Sequence, residues 1–155
     1  MEKSGEKGHK MLIGNYSAKL SLEKGRTALP KKFRQCLGKK LVITAGYEDS
    51  LMIVSKDSWQ KVVGGVINQS FISTPARETD RFLLGSAFEV ELDNQGRFVI
   101  PQTLRSYADL SENIFFVGVG NRVEVWDQSS WGKYQKYLDK NIEKIAQKLD
   151  ESKKG

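Results

Sequence analysis

Two stretches of the chain decide the fold: LIGNYSAKLSLEKGRTALPKKFRQ at residues 12–35 and LLGSAFEVELDNQGRFVIPQTLRS at residues 83–106. Aligned at an offset of 71 residues, they keep glycine, arginine and proline in one register. The matched pairs are Gly14 with Gly85, Gly25 with Gly96, Arg26 with Arg97, Pro30 with Pro101 and Arg34 with Arg105. Unrelated segments would rarely agree in this way, so the sequence predicts two copies of one unit.

The duplication sets the predicted domain organisation. Residues 12–63 form the first copy and residues 83–137 the second, and a linker at 64–82 joins them. A polar extension precedes the copies at 1–11, and a C-terminal helix and tail follow at 138–155. Two copies are too few for a solenoid, so we expect the pair to share one core.

Each matched stretch alternates apolar and polar residues, which is the period of a half-buried strand. The alternating side chains are Tyr16, Ala18, Leu20 and Leu22 in the first copy and Phe88, Val90 and Leu92 in the second. Gly25 and Gly96 then predict turns, because glycine adopts positive φ without steric cost. The predicted elements that follow are short strands at 27–29 and 98–100 and short helices beginning at Pro30 and Pro101.

The second half of each copy predicts a β-hairpin closed by a helix. LVITAG and NIFFVGVG are apolar strands, and polar turns lead into SLMIVS and RVEVWD. Ser55 and Ser129 are predicted to cap the closing helices. The last helix carries an amphipathic stripe, which we expect to pack on the protein's own core at first and on a partner subunit from Ile142 onward. The stripe consists of Trp131, Tyr134, Leu138, Ile142, Ile145 and Leu149.

Composition favours a polyanionic partner and disfavours most kinds of catalysis. The net charge is +6 and the pI is near 9.4, which suits nucleic acid. Cys36 is the only cysteine and His9 the only histidine, so nucleophile–imidazole pairs and Cys/His metal sites are disfavoured. The chain has no long apolar run, and its start, MEKSGEKGHK, is too polar for a signal peptide. We expect a cytoplasmic protein that needs no cofactor and no membrane.

The first copy carries the densest basic segment outside the two ends of the chain. Its five cations lie within eleven residues: Lys24, Arg26, Lys31, Lys32 and Arg34. The second copy has Gln102 and Thr103 where the first has lysines. If one half contacts nucleic acid more, we therefore expect it to be the first.

The two turn arginines are predicted to differ in role. Asp93 lies four residues before Arg97, a spacing that predicts an ion pair fixing the turn, so a structural role is favoured for Arg97. Leu22 is taken as the counterpart of Asp93, which leaves Arg26 without that partner. Its guanidinium is then free to bind a phosphate or a guanine edge. Cys36 is expected to be a small helix residue.

The paired blocks resemble the MraZ family, a two-copy member of the SpoVT-AbrB swapped-hairpin group. The matching pieces are LIGNY, EKGRTALPKKFR, ARETDRFLLG, EVELDNQGRFVIPQTLR and VGVGNRVEVWDQSSW. The resemblance implies a mainly β fold with capping helices, a swapped-hairpin pseudobarrel built from two internal repeats, and ring-like assembly of several chains. It also implies a nucleoid-associated regulator, usually a repressor, that binds short direct repeats in the promoter of the cell-division and cell-wall gene cluster.

The resemblance also implies site residues. The family motif is an aspartate, three residues and an arginine in each half; the chain keeps it at Asp93 and Arg97 and departs from it at Leu22. Arg26 is carried over as the main contact with double-stranded DNA. The predicted DNA-binding residues are Arg26, Lys24, Lys31, Lys32, Arg34 and Arg97, and the predicted structural motif is Asp93, Gly25, Gly96, Pro30 and Pro101.

Two other classes of function remain open. One is an oligomeric scaffold or antitoxin-like protein that binds another protein, with the basic face only keeping it in solution. The other is a hydrolase or nuclease that uses carboxylates such as Asp93 and Glu91. The second is disfavoured because the sequence has no acidic cluster with metal-ligand spacing and no usable histidine. We therefore predict a protein that is not an enzyme.

Overall fold

The computed structural model describes residues 11–67 and 71–154. Each repeat contributes one strand to the part of the sheet that is formed mainly by the other repeat. The strands are β1 Leu12–Lys19, β2 Arg26–Ala28, β3 Lys40–Ala45, β4 Leu51–Ser55, β5 Phe88–Glu91, β6 Arg97–Val99, β7 Asn113–Gly120 and β8 Val123–Asp127. The α-helices are α1 Lys31–Leu37, α2 Trp59–Ile67, α3 Thr74–Leu83, α4 Gln102–Tyr107 and α5 Gln128–Lys154.

The exchange of strands is visible in the sheet order, β1-β7-β8-β4-β3-β5. Strand β1 of the first repeat pairs with β7 of the second, and β5 of the second repeat pairs with β3 of the first, both antiparallel. Strands β2 and β6 form a separate two-stranded ribbon. The mainly β, swapped-hairpin fold built from two repeats, with its long C-terminal helix, is thus confirmed.

One hydrophobic core serves both repeats. Its side chains come from the central strands, from the short helices and from the ends of the ribbon. The most deeply buried members include Leu29, Ile43, Ile53, Ile100, Phe116 and Val125. Because each repeat completes the other's sheet, neither has a core of its own, and truncating one of these side chains to alanine should cost about 2–5 kcal/mol.

The first predicted strand is shorter than its sequence pattern indicated. Strand β1 ends at Lys19, and Leu20 is the last residue whose side chain enters the core. The prediction that Leu22 continues the half-buried alternation is wrong, because Leu22 lies in the turn and is 54% exposed. The two ribbon strands begin one residue earlier than predicted, at Arg26 and Arg97.

The predicted helix starts agree with the structure except at the last helix. Pro30 and Pro101 occupy the N-cap positions of α1 and α4. Ser55 Oγ accepts a hydrogen bond from the Ser58 amide and caps the short 3-10 turn that leads into α2. Ser129 is not a cap: α5 begins at Gln128, and the carboxylate of the preceding Asp127 accepts a hydrogen bond from the Ser129 amide at 3.1 Å.

The segment predicted as a linker at 64–82 is largely helical in its described part. Helix α2 extends to Ile67, and α3 begins after Ser73, whose side chain accepts a hydrogen bond from the Ala76 amide. Val63 and Leu83 pack with Val42, Met52 and Val54 in a second apolar cluster. The connecting helices thus cover one side of the sheet, and the domain boundaries themselves stay predictions.

The long helix α5 packs on the body only near its start. Trp131 and Tyr134 lie 5.4 and 5.0 Å from the ring of Trp126, so their predicted contact with the protein's own core is confirmed. Farther along, Ile142 and Leu149 are 52% and 59% exposed. The distal half of α5 therefore presents part of its apolar stripe to solvent.

Candidate nucleic-acid interface

The ribbon of β2 and β6 has one buried face and one exposed face. Thr27 and Phe98 face each other across the strands and are 4% and 5% exposed, so they anchor the ribbon on the core. The outward side chains belong to Arg26, Ala28, Arg97 and Val99, and all four residues are exposed. In the antiparallel register Arg26 lies opposite Val99, and Ala28 lies opposite Arg97. The outward face of the ribbon therefore carries one arginine and one apolar side chain at each end.

The turn before each ribbon strand contains a glycine that lies against an arginine of the other repeat. Gly25 and Gly96 have φ values of 71° and 80°, which confirms the predicted left-handed conformation. A Cβ on Gly25 would lie 2.9 Å from Cζ of Arg105, and a Cβ on Gly96 would overlap the side chain of Arg34. Each turn thus packs against an arginine that belongs to the other repeat.

These two arginines are held differently. Nε of Arg105 donates to the carbonyl of Ile100 at 2.8 Å, and its guanidinium reaches the carbonyl of Leu22 at 3.4 Å. Nε of Arg34 is buried, and no acceptor for it lies in the part of the chain that the structure describes. Arg34, predicted to bind DNA, lies over the Gly96 turn; its contact with DNA stays a prediction.

Asp93 organises the turn of the second repeat. One carboxylate oxygen accepts a hydrogen bond from Nε of Arg97 at 2.7 Å, and the other accepts from the amides of Gln95 and Arg97 at 2.8 and 2.9 Å. These hydrogen bonds, chiefly those from Arg97, lower the pKa of Asp93 to about 2. The predicted Asp93–Arg97 ion pair is confirmed, and the Arg97 guanidinium is partly engaged by it.

The turn of the first repeat is one residue longer, which corrects the predicted alignment. The Ser21 amide donates to the Arg26 carbonyl at 2.9 Å, as the Asp93 amide does to the Arg97 carbonyl at 3.0 Å. Ser21, and not Leu22, is therefore the counterpart of Asp93. Of the pairs that set the offset of 71, only Gly14 and Gly85 precede the turn, and their match is a coincidence, because the turn hydrogen bonds align Ser21 with Asp93 at an offset of 72.

Ser21 supplies the turn hydrogen bond without the charge. Its hydroxyl accepts from the Lys24 amide at 3.2 Å. Within residues 11–67 and 71–154, the guanidinium of Arg26 has no hydrogen-bond or ion-pair partner. The prediction that Arg26 lacks an acidic partner is therefore confirmed, although its cause is the serine and not Leu22.

Four cations meet beside the ribbon. A shallow depression of about 380 Å³ is lined by Lys19, Lys24, Arg26 and Arg97, with Glu112 as its single acidic residue. Lys19 was missing from the predicted site because it ends β1, ahead of the recognisable motif. Only the closing of the turn brings it beside Arg26.

The two helix lysines lie elsewhere on the surface. Lys31 is exposed and lines a depression with Arg34, Lys39, Asp93 and Asn94, beside the turn of the second repeat. Lys32 is exposed on α1 and lines a separate depression with Met11 and Ile13. The predicted basic residues thus do not form one cluster: Lys31 lies near the second turn, and Lys32 lies away from both turns.

The hydrolase alternative would use carboxylates, and the described residues bear on it in two ways. No group of three histidine, cysteine or carboxylate side chains within them could hold a metal ion. Asp93, the candidate catalytic carboxylate, already accepts hydrogen bonds from Arg97 and two backbone amides. None of the helices in these parts of the chain is long and apolar enough to cross a membrane.

Comparison with known proteins agrees with the duplication. A family model described as "MraZ protein, putative antitoxin-like" matches twice, at residues 11–82 and 83–152. The chain is 39% identical to a protein of Caldanaerobacter subterraneus subsp. tengcongensis named transcriptional regulator MraZ, over 90% of this chain and 97% of that protein. A protein of the same name from Acetivibrio thermocellus is 38% identical, over 90% and 96% of the two chains. With two matches covering nearly all of its length, this chain belongs to the MraZ family.

Proposed function

We propose that this protein is a transcription regulator that binds double-stranded DNA with the outward face of the β2–β6 ribbon. The observation that carries the proposal is the Arg26 guanidinium, which has no partner among the described residues and lies on an exposed two-stranded ribbon. The DNA major groove, about 12 Å wide, admits such a ribbon, and arginine binds the O6 and N7 atoms of guanine with two hydrogen bonds. The names of the relatives, transcriptional regulator MraZ, support the same function.

The surrounding cations have a separate role in this proposal. Lys19 and Lys24 border the depression beside Arg26, and Lys31 borders the turn of the second repeat. Lysine at these positions would bind phosphate oxygens and fix the orientation of the protein on the duplex, while Arg26 reads a base. Arg97 contributes less to base reading because Asp93 holds its Nε at 2.7 Å.

Several chains would act together on DNA. One ribbon offers few contacts, so we propose a homo-oligomeric ring that places ribbons on successive short direct repeats and gains affinity through effective concentration. The exposed Ile142 and Leu149 on α5 provide an apolar surface suitable for a neighbouring subunit. The proposed target is the promoter of the cell-division and cell-wall gene cluster, which the protein would repress in the cytoplasm, at the nucleoid.

The experiment is a fluorescence-anisotropy titration of the full chain against a tandem-repeat promoter fragment and a scrambled duplex. Wild type should prefer the repeats, and Arg26→Ala should lose that preference. Arg81→Ala is the matched control, because Arg81 is exposed on α3 outside the ribbon. Equal binding of both duplexes by wild type would contradict the proposal. If Arg26→Ala still preferred the tandem-repeat duplex, the sequence-specific contact would lie outside the ribbon.

A protein-binding function is the second candidate. The observation that favours it is the same exposed apolar stripe on the distal half of α5, which could bind another protein. The Arg26→Ala variant distinguishes the two candidate functions. A function confined to protein binding predicts that this variant keeps every activity.

A further inference from the structure

The outward face of the ribbon carries an apolar side chain at each end, Val99 at one and Ala28 at the other. Val99 is 46% exposed and lies directly opposite Arg26. Its neighbour Phe98 turns inward and is buried, which fixes the outward direction of Val99 by the alternation of a strand. A single exposed valine needs no functional explanation by itself. Its functional relevance comes from its position next to Arg26, whose guanidinium has no partner among the described residues.

The register determines which part of the DNA Val99 would meet. Side chains that face each other across antiparallel strands have Cβ atoms about 5 Å apart. Base pairs follow each other at about 3.4 Å. With Arg26 on a guanine, Val99 therefore lies over the same base pair or the next one.

The chemical groups on the base edges of the major groove determine which contact Val99 makes. Valine has no hydrogen-bond donor or acceptor beyond its backbone, and the apolar group on base edges in the major groove is the 5-methyl of thymine. We infer that Val99 is a specificity-determining residue that contacts a thymine methyl beside the guanine bound by Arg26. The inference rests on the proposed function and deepens it.

The other end of the ribbon lacks this pair. The residue related to Val99 by the internal repeat is Ala28, which is smaller and lies opposite Arg97. Arg97 is engaged by Asp93, whereas Arg26 is unpaired among the described residues. One end of the ribbon thus reads a guanine and a methyl group, and the other end reads little. A ribbon of this kind recognises its site in one direction, which suits direct repeats better than palindromes.

The test uses the full chain and a duplex selected by it from a randomised library, so no operator sequence is assumed. Each thymine of the selected site is replaced in turn by deoxyuridine, which differs only by loss of the 5-methyl group. Affinities are measured for wild type, Val99→Ala and Val99→Thr, the last of which keeps the β-branched shape. Val119→Ala is the control, since Val119 is an exposed valine on β7, outside the ribbon.

At one thymine, removal of the methyl should weaken wild type and Val119→Ala by about fourfold, the value of one buried methylene-sized group. The same removal should weaken Val99→Ala and Val99→Thr clearly less than wild type, because both keep a smaller apolar surface at this position. Each variant is compared with itself on two duplexes, so a change in its folded fraction cancels.

If Arg26→Ala still abolishes selection, two results would overturn the inference and leave the proposed function intact. One is a selected site without a methyl-sensitive thymine. The other is equal methyl sensitivity in Val99→Ala and wild type. Failure to select any duplex, or selection that does not depend on Arg26, would instead contradict the proposed function and remove the basis of the inference.

Discussion

Ser21 occupies in the first repeat the position that Asp93 occupies in the second: each donates its amide to the carbonyl of the following ribbon arginine, at 2.9 and 3.0 Å. The difference between a hydroxyl and a carboxylate leaves Arg26 without a partner in residues 11–67 and 71–154, whereas Arg97 is paired with Asp93. An internal duplication has thus produced two turns of similar hydrogen bonding and unequal electrostatics.

Ser21→Asp should engage Arg26 and weaken DNA binding. The new carboxylate would resemble Asp93 in its pairing and would also repel phosphates, so we expect an affinity loss of about tenfold, together with a stability change below about 1 kcal/mol. Ser21→Asn is the control, because it offers a similar hydrogen-bonding side chain without charge. Anisotropy and urea unfolding measure the two effects. Equal affinity of the Asp and Asn variants would contradict the role assigned to charge.

Asp93 should make stability depend on pH at the acid end. Its folded pKa of about 2 lies below the ordinary value of 3.8, so its stabilising contribution is full above about pH 4 and is lost as the pH falls towards 2. Asp93→Asn should therefore unfold at a lower temperature than wild type at pH 6, and the difference should narrow between pH 4 and pH 2. A difference in Tm that is constant over that window would show that the ion pair is not its source.

Gly96→Ala should destabilise the fold more than a positive φ alone explains. The added Cβ would meet Arg34, whereas at Gly38, whose φ is 82°, a Cβ meets nothing within 4 Å. We expect Gly38→Ala to cost about 1 kcal/mol and Gly96→Ala clearly more in urea unfolding. The double variant Gly96→Ala with Arg34→Ala should recover part of the extra loss. Equal costs at the two glycines would contradict the packing of Arg34 on the turn.

The β3–β4 hairpin should tolerate, and benefit from, a change of turn residues. Glu48 and Asp49 have φ values of 56° and 60°, a conformation that asparagine and glycine adopt more easily. Glu48→Asn with Asp49→Gly should relieve this left-handed backbone strain and raise the free energy of unfolding by about 1 kcal/mol. The midpoint of urea unfolding tests this. A lower midpoint would mean that the native side chains make contacts that outweigh the backbone preference.

The sequence predicts the duplication, the strands and short helices of each copy and the lack of an acidic partner for Arg26, because these follow from local periodicity and from motif spacing, but it does not predict helix α3. It does not predict the longer first turn, since Gly14 and Gly85 agree at the same offset of 71 as the residues after the turn and so conceal the extra residue. Nor does it place Arg34 over Gly96. That contact arises from the exchange of hairpins, which brings a helix of one repeat over a turn of the other, and local pattern carries no information on such long-range packing.

The Arg26→Lys variant tests most directly whether Arg26 reads a base. It keeps the positive charge but loses the bidentate hydrogen bonding of the guanidinium. Its affinity for tandem-repeat and scrambled duplexes should be measured over a series of salt concentrations. We predict that the preference for the repeats falls about tenfold or more, while binding to the scrambled duplex and its steep salt dependence persist. An unchanged preference would contradict the assignment of base reading to Arg26.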